Sequence, residues 1–183
     1  SFHTSSVDNI RLEADQKATV NFKLELGGVT ETVTVQGTGV LQVDTVTGTL
    51  RQVVDNDRIL ETPLNGRNAA SLTLTVAGAS SAPTSGVDQG QDKTFPGAVS
   101  VSVNGSRGNQ TSYMLDGANN KASFSNVNAP FPFPDALQEF SVQTSNYSAE
   151  FGQNAGGVVN VVTKSGTNQL HGGVFDFIRN EKF

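Results

Sequence analysis

The residues able to do chemistry are few, and their spacing suits none of the common reactions. The chain has two histidines, His3 and His171, and no cysteine. Thiolate metal sites and disulfides are therefore excluded, and two remote imidazoles do not build a zinc site. Ser106 lies in Gly105-Ser106-Arg107-Gly108, which is not a Gly-x-Ser-x-Gly nucleophile elbow and is not followed by a strand-turn-helix pattern. Lys164-Ser165 lacks the glycine spacing of a phosphate loop. Neither Asp55, Asp57 and Glu61 nor Asp88 and Asp92 follow the ligand order of a calcium loop. No catalytic centre, metal site or cofactor is expected.

What remains is chemistry of binding. Phe95, Phe124, Phe131 and Phe133 fall in two long loops, 79–98 and 118–133, rich in Ser, Gly, Pro, Asp and Asn. Loops longer than about 12–15 residues in a compact domain are usually functional or disordered. Their aromatics would stack on an apolar or carbohydrate ligand, or simply pack against whatever covers the loops. An arginine fork matches a carboxylate, so Arg67 and Arg107 are expected in structural ion pairs with Glu139 and Glu150 as partners. Glu31-Thr32-Val33-Thr34-Val35 is β-prone and lies between Gly27-Gly28 and Gly37 to Gly39. Such a segment is either a linker strand or a peptide that adds to a partner's sheet edge.

These positions need a scaffold, and composition says which kind. Hydrophobic residues make up 36% and charged residues 16% of the 183, with 19 glycines, which fits a loop-rich β protein rather than a helical bundle. Net charge is −5 and no basic cluster appears, so nucleic-acid binding is not expected. No apolar run is long enough for a membrane helix. Ser1-Phe2-His3-Thr4 lacks the basic start and apolar core of a secretory signal, so the start of an exported protein would lie upstream.

Along the chain, residues 7 to 26 alternate: Val7, Ile10 and Leu12, then Ala18, Val20, Phe22, Leu24 and Leu26. With Glu13 to Gln16 as the turn, this predicts a β-hairpin with one buried face. From Val53 to Gly78 the reading is partly helical, with Asp57 capping a turn that holds Ile59 and Leu60. Asn68 is placed to cap a helix carrying Leu72 and Val76, ended by Gly78; Ser71 to Val76 also alternates as a strand would. Strands are predicted at Val99 to Val103, ended by Asn104-Gly105, and at Tyr113 to Leu115, closed by Asp116-Gly117. Pro134 opens a short helix through Glu139, after which Phe140, Val142 and Thr144 alternate. Gly156 to Thr163 is apolar on both faces and reads as a buried central strand. Residues 173 to 183 start a strand that needs neighbours further along a longer chain.

In this order, several of these stretches resemble the plug of TonB-dependent outer-membrane receptors, and most closely the Oar-like subgroup, which carries a carboxypeptidase-regulatory-like β-sandwich at its N-terminus. The resemblance is carried by Leu64-Asn65-Gly66-Arg67-Asn68, Val103-Asn104-Gly105-Ser106-Arg107, Tyr113-Met114-Leu115-Asp116-Gly117, Glu139-Phe140-Ser141-Val142, Tyr147 to Gly152, Gly156 to Gly166, and His171-Gly172. Thr62 and Ala77-Gly78 depart from it, standing where the subgroup usually has leucine and Pro-Gly.

The resemblance implies an α+β fold, a small mixed β-sheet with short helices and long loops, preceded by a hairpin remnant of the β-sandwich. It divides the chain into sandwich strands (1–26), a TonB-box linker (27–39), the plug (40–168) and the approach to the first barrel strand (169–183). Glu31, Thr32, Val33, Thr34 and Val35 resemble the TonB box. The implied partners are TonB, a surrounding barrel of roughly 22 strands and an imported substrate, and the implied place is the barrel lumen in the outer membrane, facing the periplasm. The rival reading is a self-associating surface module that donates its 29–36 or 173–183 strand to a neighbouring copy.

Overall fold

The computed structural model describes residues 4–8, 19–21, 32–36, 48–82, 97–123, 125–151, 154–170, 172–174 and 176. Two strands precede the main body, β1 (Thr4–Asp8) and β2 (Thr32–Gln36), paired in parallel from Thr4↔Thr32 to Asp8↔Gln36. The main sheet is built from β3 (Leu50–Asp55), β6 (Ser112–Leu115), β7 (Ala118–Asn119), β8 (Leu137–Ser145) and β9 (Val158–Thr163). A short antiparallel pair, β4 (Ala79–Ser81) with β5 (Val101–Val103), lies beside it.

The order in the main sheet is β3-β8-β9-β6-β7, so β9 is the middle strand as its two-sided apolar pattern predicts. It runs antiparallel to β8 (Phe140↔Val161, Val142↔Val159) and parallel to β6 (Tyr113↔Val159, Leu115↔Val161), which makes the sheet mixed. Alternation sorts the side chains. Phe140, Val142, Val159 and Val161 join Val54, Tyr113 and Leu137 in the apolar core. Val158, Asn160, Ser141 and Gln143 are buried on the reverse face, where the Ser141 hydroxyl donates to the Asn160 carbonyl at 3.3 Å. Each large apolar side chain so buried stabilises by about 1.5–3 kcal/mol.

The core is covered by α1 (Asn56–Glu61), which contributes Ile59, and by a 3-10 helix over Ala69–Thr75, which contributes Ala69 and Leu72. Here the structure corrects several local expectations. Residues 50–55, of which Val53 to Asp55 open the stretch read as partly helical, form a strand because β8 offers an antiparallel edge from Arg51↔Gln143 to Asp55↔Glu139. The cap of α1 is Asp55, whose carboxylate accepts from the Arg58 N–H at 3.1 Å, and Asp57 lies in the first turn. Asn68 caps as expected, accepting from the Ala70 N–H at 3.1 Å, but the following turns are 3-10 and end before Gly78. Pro134 opens a 3-10 turn of only Pro134–Ala136, because Leu137 to Glu139 are taken into β8 by pairing with β9.

The hairpin expected over residues 7–26 does not describe β1, which starts at Thr4 and pairs in parallel with β2; Thr19 to Asn21 are not in a strand, and most of the remainder lies outside the described residues. The strand expected from residue 173 is absent at Gly173, Val174 and Asp176, and its other positions lie outside the described residues, apart from these.

The Asp116-Gly117 signal becomes a two-residue hairpin joining β6 to β7, with φ of 48° and 80°. Both residues are left-handed, the geometry that matches strand twist and favours Asp and Gly. The Asp116 carboxylate also accepts from the Thr163 N–H (2.8 Å) and hydroxyl (2.9 Å), tying the turn to the end of β9.

Tyr113 is fully buried at the start of β6, its hydroxyl 3.4 Å from the Val99 carbonyl. Burial raises its phenol pKa well above the ordinary value of 10.0. The unfolded chain then releases a proton near that ordinary value while the native state holds it, so stability falls as pH rises above about 10. Thermal melts at about pH 8 and about pH 11 will show this loss, and Tyr113→Phe will reduce it.

Candidate functional site

At one end of the main sheet three turns converge. The first is Leu64 to Asn68, with Gly66 and Arg67 both left-handed at φ 63° and 52° and the Arg67 N–H donating to the Leu64 carbonyl at 3.1 Å. The second is Gly97 to Val99, and the third runs from Asn128 to Pro134. Two asparagines hold them together. Asn68 caps the 3-10 helix with its oxygen while its amide donates to the Gly97 carbonyl at 2.9 Å. Asn128, 1% exposed, accepts from the Val99 N–H (2.8 Å) and donates to the carbonyls of Ala129 (3.1 Å) and Gly97 (3.3 Å). Side-chain amides thus supply the backbone partners that loops cannot get from a ladder.

Around these turns lie two open clefts. One of about 950 Å³ has Leu60, Pro63, Leu64, Arg67, Phe133 and Asp176 in its walls. The other, of about 470 Å³, is bounded by Asn68, Ser71, Val99, Phe131 and Phe133. Walls that mix apolar side chains with the Arg67 guanidinium, carboxylates and amides suit contact with a covering surface or a bulky solute.

Of the four aromatics singled out, Phe133 is on these clefts and 66% exposed. Phe131 borders the second cleft and is partly buried against the core, its ring 6.4 Å from that of Tyr113. Phe95 and Phe124 lie outside the described residues. Arg67 forms an ion pair with Asp135, a residue that the sequence did not single out as its partner. Asp135 stands on the 3-10 turn that faces the Arg67 turn; Glu139 is inside β8 opposite Asp55, and Glu150 is exposed in a turn at Ala149–Phe151. Arg107 is exposed and its backbone closes a turn, its N–H donating to Gln110 Oε1 at 3.2 Å and its carbonyl accepting from the Gln110 N–H at 2.9 Å. Asp135 and Asn128 escaped the sequence reading; both stand within or beside the proline-rich run, where a polar side chain is the natural source of missing backbone partners.

Thr32 to Val35 are in β2, extended as a strand-adding peptide must be, while Glu31 lies outside the described residues. Among the described residues no group of His, Cys, Asp and Glu is placed to hold a metal ion. No helix among them is long and apolar enough to cross a membrane.

Comparison with known proteins bears on this arrangement directly. The family model described as the TonB-dependent receptor plug domain matches residues 44–159. A stretch of 75 residues, 41% of this chain and 7% of the relative, is 40% identical to the TonB-dependent transporter Oar of Myxococcus xanthus. Among solved structures, the siderophore receptor PirA of Acinetobacter baumannii matches with a TM-score of 0.52 and 20% identity, over 69% of this chain and 19% of that one. A variant of the ferric enterobactin receptor PfeA of Pseudomonas aeruginosa matches with a TM-score of 0.51 and 20% identity, over 64% and 17%. The matches therefore span less than a fifth of the length of these relatives.

Proposed function

The chain belongs to the TonB-dependent receptor plug domain family, and from that membership we propose that it gates an outer-membrane transporter energised through residues 31–35. A plug of this family occupies the lumen of an outer-membrane barrel. TonB pairs with the extended segment by strand addition, main-chain hydrogen bonds giving affinity and alternate side chains giving register. Traction on that segment shifts part of the plug and opens a path for the solute. The observation that carries the proposal is that Thr32–Gln36 is a strand lying just ahead of the matched plug region.

In the same reading residues 1–26 close a carboxypeptidase-regulatory-like sandwich, 27–39 are the linker, 40–168 the plug, and 169–183 lead into the barrel. Phe133, exposed beside the Arg67–Asp135 pair, is the proposed solute contact within the plug. Family membership favours gating over the rival self-associating module.

The test is binding of the periplasmic C-terminal domain of TonB to the chain. Successive residues of a strand present their N–H groups to opposite edges. The double change Val33→Pro with Thr34→Pro therefore removes a donor from whichever edge TonB uses. Affinity is expected to fall roughly a hundredfold or more, with the melting of the 48–163 body unchanged. Undiminished binding would sink the assignment of the box.

A further inference from the structure

We propose that β1 is part of the TonB-binding platform: Thr4–Asp8 holds the box segment Thr32–Gln36 extended from one side, and the partner strand adds to β2 on its other edge. This rests on the reading of residues 31–35 as the TonB-binding segment. The register is continuous over five positions, Thr4↔Thr32, Ser5↔Val33, Ser6↔Thr34, Val7↔Val35 and Asp8↔Gln36, with no slip. Residues 9 to 31 connect the two strands, long enough for the crossover that parallel pairing requires.

Two physical points fix the direction of the inference. In a paired strand, half of the main-chain groups turn toward the neighbour and half toward the opposite edge. Among the described residues, β1 is the only strand paired with β2, and no described strand lies on β2's other side. A two-stranded pairing gains from a third strand, and the partner strand added to β2 gives the order β1-β2-partner. A box already held in β conformation also loses less freedom on binding than a free peptide, which raises affinity by preorganisation.

The inference makes residues far ahead of the box matter for a contact they do not make. Ser5→Pro with Ser6→Pro removes consecutive N–H groups, so at least one bond to β2 is lost whichever edge each faces. In the full chain this double variant is expected to bind the TonB C-terminal domain roughly tenfold more weakly. Amide exchange over Thr32–Gln36, followed by mass spectrometry without TonB, is expected to accelerate. Faster exchange with unchanged or tighter binding would overturn the proposal, tighter binding identifying β1 as a competitor for the box. Unchanged exchange would overturn it as well, since β1 would then not hold β2. The variant at Val33 and Thr34 separates the two readings. If that variant binds normally, the box assignment fails; if it does not bind while the Ser5 and Ser6 variant binds as the native chain does, only the role of β1 fails.

Discussion

Gly156→Ala is expected to destabilise the plug by about 3 kcal/mol, at the upper end of the usual cost of overpacking, and Gly156→Val is expected to prevent folding. A Cβ on Gly156 would stand 2.7 Å from the Gln110 carbonyl oxygen and 2.8 Å from its carbon. The obstacle is backbone, and it is held on every side. The Gly156 N–H donates to that same carbonyl at 3.0 Å, Gln110 donates to Arg107 at 2.9 Å, and the Gly156 carbonyl lies 2.7 Å from the Tyr147 hydroxyl. A rotamer change relieves nothing, so the strand must move, and with it the start of β9. Gly166 is the control. Nothing lies within 4 Å of its missing Cβ and its φ is ordinary, so Gly166→Ala is expected to be neutral within about 0.5 kcal/mol. Urea titration of the three proteins, followed by far-UV circular dichroism, measures the difference. Native-like stability of Gly156→Ala would refute the close approach.

Phe140→Ala carries the second large effect, a loss of about 3–5 kcal/mol. Phe140 is fully buried in β8, opposite Val54 on one side and Val161 on the other. Truncation removes its transfer free energy and leaves a void walled by two strands that cannot collapse inward together. Phe133→Ala provides the contrast, since that ring is 66% exposed and should cost no more than about 0.5 kcal/mol. The midpoint of denaturation should therefore fall sharply for one phenylalanine and stay put for the other. Equal shifts would mean that the 131–133 run is a core element and remove Phe133 from consideration as a contact.

Much of this arrangement was legible because the relevant rules are local. Gly156 to Thr163 announced a strand buried on both faces, and Asp116-Gly117 announced a two-residue turn. Each depends only on residue type and neighbours. Residues 50–55 were not legible, since nothing in Leu50-Arg51-Gln52-Val53-Val54-Asp55 says that a strand nearly ninety residues later will offer it an edge. Pairing of β8 with β9 likewise shortened the helix expected after Pro134. At the candidate site, Arg67 was recognisable as a pairing residue, but its partner was not. Asp135 is brought to Arg67 only when the 134–136 turn folds against the 64–68 turn. Asn68 was found as a cap; its second role, reaching Gly97, belongs to the tertiary structure.

The position of β9 also dictates the order in which the sheet can be made. β3 belongs to one flank and β6 with β7 to the other, and they share no pairing; β8 and β9 are what join them. A chain emerging from its N-terminus can pair β6 with β7 and later β3 with β8, but the two flanks stay unjoined until β9, ending at Thr163, is out. Closure then joins segments widely separated in sequence, the kind of topology that folds slowly.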